Sequence, residues 1–253
     1  MNKVLVAVAI VSLFSLNSEA DTFTAHCRNS PPELFVEGET CIGVVPDLVN
    51  DIFTELGHDL VWIKVPWPRT IYEAKRGNVD LLIRHSMTES RKRFLDAVTY
   101  SHQKRSLSFF KSPHFKSSIK SYEDLKGLRV GALRGNFYSP GFSSFVDPND
   151  IVEVSRTQQL VDMLKAGRID VAVTSESHRI DLFENDFKKC AFTDTFLNPL
   201  YISIPKKSKA SRIYNAVSSQ VLKYRESGAI NKYYEKYGVP VPAQSLPENH
   251  STP

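Results

Sequence analysis

Cysteine, tryptophan and methionine are scarce in this chain: three, two and three among 253 residues. No cysteines are spaced as CxxC, and no Cys/His grouping has the spacing of a zinc site, so neither a metal nor a cofactor is expected. The motifs G-x-S-x-G, P-loop and HExxH are all missing, which sets aside the common serine hydrolases, nucleotide hydrolases and zinc proteases. There is no dense Lys/Arg run and no basic patch interleaved with aromatics, so nucleic acid is not an expected partner. The formal net charge is only +4. Beyond Leu16 no apolar run reaches the length of a membrane span.

What is present begins with an export signal. Lys3 supplies a short basic start, and Val4 to Leu16 is apolar but too short to cross a bilayer. Ser18-Glu19-Ala20 places small residues at the −3 and −1 positions of a cleavage site. Residues 1–20 are therefore expected to be removed after Ala20, and no lipobox cysteine follows. An exported chain tolerates disulfides. Cys27 and Cys41 flank a short segment containing proline and glycine and are expected to pair; Cys190 is left over. Such a loop is worth about 3 kcal/mol through restriction of the unfolded chain.

The most informative stretch is Asp80 to Arg91, DLLIRHSMTESR. Leu81, Leu82 and Ile83 read as a buried strand that turns abruptly polar. In open parallel α/β sheets, ligands bind at the carboxyl ends of strands. A strand ending on Arg84, followed by Ser86, Thr88 and Arg91, suits an anion, because guanidinium forks grip carboxylates and hydroxyls fill the remaining lone pairs.

Strands are expected at Phe23–Cys27, Leu60–Val65 and Asp80–Ile83, with an amphipathic helix around Leu48–Leu56 and a shorter one around Ile71–Ala74. That βαβαβ order implies a parallel sheet flanked by helices. A second series follows, with strands at Arg129–Leu133, Ile151–Val154 and Ile169–Val173 and a helix capped by Thr157. Ala191–Phe196 and Leu200–Ile204 read as two further strands, and two helices close the fold. The chain also repeats itself: Glu73-Ala74-Lys75-Arg76-Gly77-Asn78-Val79-Asp80 parallels Met163-Leu164-Lys165-Ala166-Gly167-Arg168-Ile169-Asp170. Each is a helix end, a glycine stop and an aspartate before an apolar strand, which points to two related lobes. Arg69, Arg84, Arg91 and Arg134 fall at predicted strand ends, and Trp67, Phe137 and Tyr138 are candidates to stack on a ligand's apolar part, with lobe packing the alternative for Trp67.

Taken together, Gly43-Val44-Val45-Pro46-Asp47-Leu48, the Gly77–Asp80 and Gly167–Asp170 pair, Ser86-Met87-Thr88-Glu89-Ser90-Arg91, and Ser121-Tyr122-Glu123-Asp124-Leu125-Lys126-Gly127 resemble the bacterial extracellular solute-binding proteins of family 3. The resemblance covers residues 23–238. It implies a two-lobed α/β protein of the type II periplasmic binding fold, each lobe a mostly parallel sheet flanked by helices, with two strands crossing between them. Lobe 1 is expected at 21–106 plus 203–241, lobe 2 at 107–202, and a flexible tail at 242–253.

The resemblance also implies roles. Arg91 would clamp a ligand carboxylate, helped by Ser86. The acidic residue that holds an amino acid's ammonium would fall at Ser175, with Glu176 next. The second lobe's anion loop carries Asn136-Phe137 after Arg134 instead of Ser/Thr. The expected function is a monomeric periplasmic receptor that passes a small carboxylate-bearing solute to an ABC importer or a sensor. The alternative is a dehydratase of the cyclohexadienyl type, with Glu176 as general acid.

Overall fold

In the computed structural model, residues 20–175 and 178–242 are described. The expected signal peptide, apart from Ala20, and the tail beyond Pro242 lie outside them, as does Glu176. The first half opens with β1 (Thr22–Cys27), a short hairpin of β2 (Phe35–Glu37) and β3 (Thr40–Ile42), and helix α1 (Val44–Glu55). Then come β4 (Asp59–Lys64), α2 (Trp67–Arg76), β5 (Leu81–His85), a single turn α3 (Glu89–Lys92) and the 17-residue strand β6 (Leu95–Lys111). The second half runs β7 (Val130–Leu133), α4 (Pro140–Phe145), β8 (Ile151–Val154), α5 (Thr157–Lys165), β9 (Val171–Thr174) and α6 (Asp181–Glu184). The 18-residue strand β10 (Lys188–Pro205) returns to the first half, where α7 (Tyr214–Glu226) and α8 (Asn231–Lys236) finish the fold.

Eight strands form one sheet in the order β4-β1-β5-β10-β6-β9-β7-β8. The three at either end repeat one arrangement: the first strand of each series lies between the second and third, and all pair in parallel. β10 and β6 run antiparallel through the middle. They pass from one core to the other. Val98, Tyr100, Leu200 and Ile202 pack with β1, α1, α7 and α8, while Leu107, Phe109, Phe192 and Phe196 pack with β7 and β9.

The internal repeat has a structural cause. Gly77 and Gly167 have φ of +80° and +66°, the left-handed conformation that ends α2 and the turn after α5. Each aspartate that follows pins its own lobe's first strand: Asp80 Oδ2 accepts from Thr24 N, within β1, at 2.9 Å, and Asp170 Oδ2 from Arg129 N, just before β7, at 2.9 Å. The same two residues return the bond through their main chains, Asp80 N to Thr24 O and Asp170 N to Arg129 O. At Gly77 a Cβ would also lie 2.5 Å from the Lys207 carbonyl oxygen, so a side chain has no room.

Three expectations change. The two strands expected at 191–196 and 200–204 are one, because Pro199 lies inside β10 opposite His102. Proline lacks a ladder donor, and β5 joins β10 only from Tyr201 onward, so Pro199 sits where the strand has a single neighbour. Arg156, not Thr157, is the N-cap of α5; Thr157 is its first helical residue. The β2–β3 hairpin and α4 are not among the expected elements.

Cys27 and Cys41 form a disulfide joining the end of β1 to β3. It closes the loop that carries Arg28, Ser30 and Glu33, and Cys190 remains a free, buried thiol. Replacing both Cys27 and Cys41 by alanine is expected to lower unfolding stability by about 3 kcal/mol, since the bridge spans 14 positions. Urea denaturation with and without reductant measures it, and the double variant should lose its sensitivity to reductant.

Candidate functional site

A cavity of about 250 Å³ opens between the two halves, at the carboxyl ends of β1, β5 and β7 and over β6 and β10. Its walls include Arg28, Ser30, Trp67, Arg84, His85, Ser86 and Arg91 from the first half, and Leu133, Asn136, Phe137 and His178 from the second. Gln103, Arg105, Asn198 and Leu200 of the crossing strands also line it. No aspartate or glutamate is among the described residues lining it.

The guanidinium groups around this space differ in what they are bound to. Arg84 is buried and committed: its Nε donates to Glu33 Oε2 at 2.7 Å, and its Nη1 donates to Ser30 Oγ. Glu33 is itself buried and accepts from Tyr100 and Tyr234, each at 3.3 Å. Gly43, with φ +124°, lets α1 begin against this turn, since a Cβ there would lie 2.6 Å from the Glu33 carbonyl oxygen. Arg84 has a φ of +48°, an uncommon value outside glycine, and the ion pair holds it there.

Arg91 and Arg28 have no carboxylate partner among the described residues. Arg91 is buried, and its Nη1 and Nη2 donate to the Ser86 and Gly135 carbonyls, the second at 3.0 Å across the cleft. Arg28 donates to the carbonyls of Ile83 and Arg84. Both guanidinium carbons lie close to the Trp67 ring centroid, at 4.6 Å for Arg28 and 4.9 Å for Arg91. Burial, then the charges of Arg84 and Arg91, pulls the Arg28 pKa down to about 9; burial alone brings Arg91 to about 10. Both stay charged at neutral pH, in a setting that penalises the charge, and an incoming anion would relieve that penalty.

Two imidazoles are held neutral. Burial, reinforced by the charges of Arg91 and Arg28, pulls His85 down to about 3, although its bond to the Ser86 carbonyl opposes the shift. A neutral ring bonded to a carbonyl must donate from Nδ1, so Nε2 accepts from Ser203 Oγ at 2.8 Å. His178 is brought to about 3 by burial and by Arg105, and its Nδ1 faces Ser175 Oγ at 3.2 Å.

Of the residues expected from sequence, Arg91, Ser86, Arg84, Trp67, Asn136 and Phe137 meet at the cavity. Thr88 does not line it; its side chain caps α3 and bonds the Arg91 amide, positioning the arginine. Arg69 is exposed and ion-paired with Glu73. Arg134 is exposed, pairs with Glu153 at 3.5 Å and lines a neighbouring cavity with Gly135. Ser175 is buried at the end of β9 and receives a 3.4 Å bond from Arg105. Arg28, Arg105, Asn198 and the two histidines were missed. Arg28 had the same signal as Arg84, being the first residue past a predicted strand.

Two halves built alike, crossed by two strands and enclosing a cationic cleft, define a two-lobed binding protein of the type II periplasmic fold. The chain belongs to the bacterial extracellular solute-binding proteins, family 3, whose family model matches residues 24–240. No curated protein matches it in sequence. Among solved structures it is similar to an ancestral arginine-binding protein bound to arginine, at 23% identity and a TM-score of 0.62, over 85% of this chain and 97% of that one. A histidine kinase sensor domain with similarity to periplasmic binding proteins aligns at 19% identity and 0.65, over 88% and 98%. An ancestral amino-acid-binding protein described as a precursor of cyclohexadienyl dehydratase aligns at 19% and 0.59, over 85% and 94%.

Glu33→Gln leaves Arg84 buried without its counter-charge and is expected to cost about 3–5 kcal/mol of stability, read by urea unfolding. For the histidines the folded pKa lies below the unfolded value of about 6.5, so the unfolded chain binds the extra protons. Stability should be full above about pH 6.5 and fall as pH drops toward 3. Each histidine contributes up to about 1.4 kcal/mol per pH unit, so His178→Gln should make the slope between pH 6.5 and 5 shallower by about one proton.

Proposed function

We propose that the chain captures a small organic anion, an amino acid or a related carboxylate, between its lobes and presents the closed complex to a membrane partner. The observation that carries this reading is the pair Arg28 and Arg91, stacked at Trp67 with only main-chain carbonyls as partners among the described residues. A carboxylate would be a better partner for Arg91 than a carbonyl, because it brings a counter-charge and can accept two parallel bonds from the guanidinium fork. Trp67 offers a flat apolar face to the ligand's carbon skeleton.

The lobes meet where the crossing strands change cores, between Tyr100 and Leu107 on β6 and between Phe196 and Leu200 on β10. A ligand touching both sides favours the closed arrangement by its difference in affinity for the two states. Export through the signal at residues 1–20 would place the mature chain in the periplasm as a monomer. An ABC importer fits the family, and the sensor-domain neighbour keeps a signalling partner in view. The dehydratase reading draws support only from the fold shared with the dehydratase precursor; its candidate acid, Glu176, lies outside the described residues.

A thermal-shift screen with amino acids and organic acids tests the receptor reading. A ligand at a hundred times its Kd stabilises by about 2.7 kcal/mol. Arg91→Ala should weaken binding about a hundredfold by calorimetry, the equivalent of about two charge-assisted hydrogen bonds. Unchanged affinity would place the site elsewhere. Turnover of prephenate or arogenate that disappears in Glu176→Gln would replace the receptor by an enzyme.

A further inference from the structure

The crossing strands present one face to the cavity. Side chains alternate along a strand, so Gln103 and Arg105 of β6 point the same way, as do Asn198 and Leu200 of β10. The register sets Asn198 directly opposite Gln103, and Phe196 opposite Arg105. Leu200 packs into the first core and Phe196 against the second, so Asn198 lies between the two cores.

Asn198 is also chemically incomplete. The residue is 1% exposed, and its Nδ2 is buried with no hydrogen-bond partner among the described residues. Buried donors are almost always paired, and an unpaired one opposes folding. Here the orphan belongs to a residue that lines the cavity and sits in a strand that could carry an apolar side chain in its place, as Leu200 does two positions on. A ligand oxygen would supply the partner that the buried Nδ2 lacks among the described residues.

We infer that Asn198, with Gln103 beside it, forms a second polar subsite on the cavity floor that donates to a second oxygen-bearing end of the ligand, the first being held at Arg91. The inference rests on the receptor reading above and narrows it to a short organic acid with an oxygen-bearing group at each end, of which a dicarboxylate is the simplest case. Arg105, the next residue on the same face of β6, adds positive charge at that end. No acidic group among the described lining residues would repel a second carboxylate.

The test is calorimetric titration of the mature protein with succinate, glutarate and adipate, each against the monocarboxylate of equal length: butyrate, pentanoate and hexanoate. The wild type should favour at least one diacid over its matching monoacid by tenfold or more. Asn198→Asp, which keeps the shape but replaces the donor by an acceptor, should reduce that preference below threefold, as should Asn198→Leu. In the absence of ligand, Asn198→Leu should melt no lower than the wild type, because it removes an unpaired buried donor.

A wild type without the preference, or variants that keep it, would overturn the subsite. So would a marked loss of melting temperature in Asn198→Leu with the preference intact, which would show a packing role. Arg91→Ala separates the two levels. Binding that depends on Arg91 but ignores Asn198 removes only this inference. Affinity unchanged in Arg91→Ala would place the site elsewhere and remove the subsite with it, and a wild type that binds neither these acids nor any amino acid would remove the receptor reading as well.

Discussion

One buried ion pair organises the site. Glu33 lies in the turn between β1 and β2, and it meets Arg84 at the end of β5, Tyr100 on β6 and Tyr234 on α8. Three other parts of the first half, distant in sequence, converge on this one carboxylate. The pair neutralises Arg84 and leaves Arg28 and Arg91, on either side in the chain, without an equivalent partner among the described residues. Concentrating the available carboxylate on one guanidinium is what makes the rest of the cleft positive. A buried pair of this kind adds little net stability over an apolar substitute, so its place here is better explained by the geometry it fixes.

The surrounding architecture serves the same end. Each lobe is a three-strand parallel unit whose aspartate pins its first strand. The cavity therefore gathers strand ends from both lobes, and the crossing strands form its floor. Arg91 donates across the gap to Gly135, so one side chain touches both sides of the cleft. Neutral His85 fixes the Ser86 carbonyl that Arg91 also uses, so the arginine is held by groups that carry no charge of their own.

Much of the fold could be read from the chain because its punctuation is local. Gly77 and Gly167 end helices through their own backbone, and the apolar runs after Asp80 and Asp170 are short and sharply bounded. The β2–β3 hairpin was hidden because its strands are three residues each, too short to show alternation. β10 was split by Pro199, whose tolerance depends on β5 pairing elsewhere along the strand. In the site, Arg91 was legible from its spacing after Ser86 and Thr88. Arg84 was legible as a cleft residue but not as a neutralised one, since Glu33 stands 51 positions earlier in the chain. Arg69 and Arg134 obeyed the strand-end rule yet turned to Glu73 and Glu153 at the surface. Asn198 and Arg105 escaped because they sit within long strands, where only the register shows which face meets the cavity.

The central claim is that an anion completes the pair Arg28 and Arg91. A crystal structure of the protein with its tightest-binding small molecule tests it most directly. The account predicts carboxylate oxygens within hydrogen-bond distance of the Arg91 guanidinium, with Arg28 and Trp67 against the same end of the ligand. A ligand that turns an uncharged or cationic end toward those two arginines, or that binds outside the cleft, would contradict it.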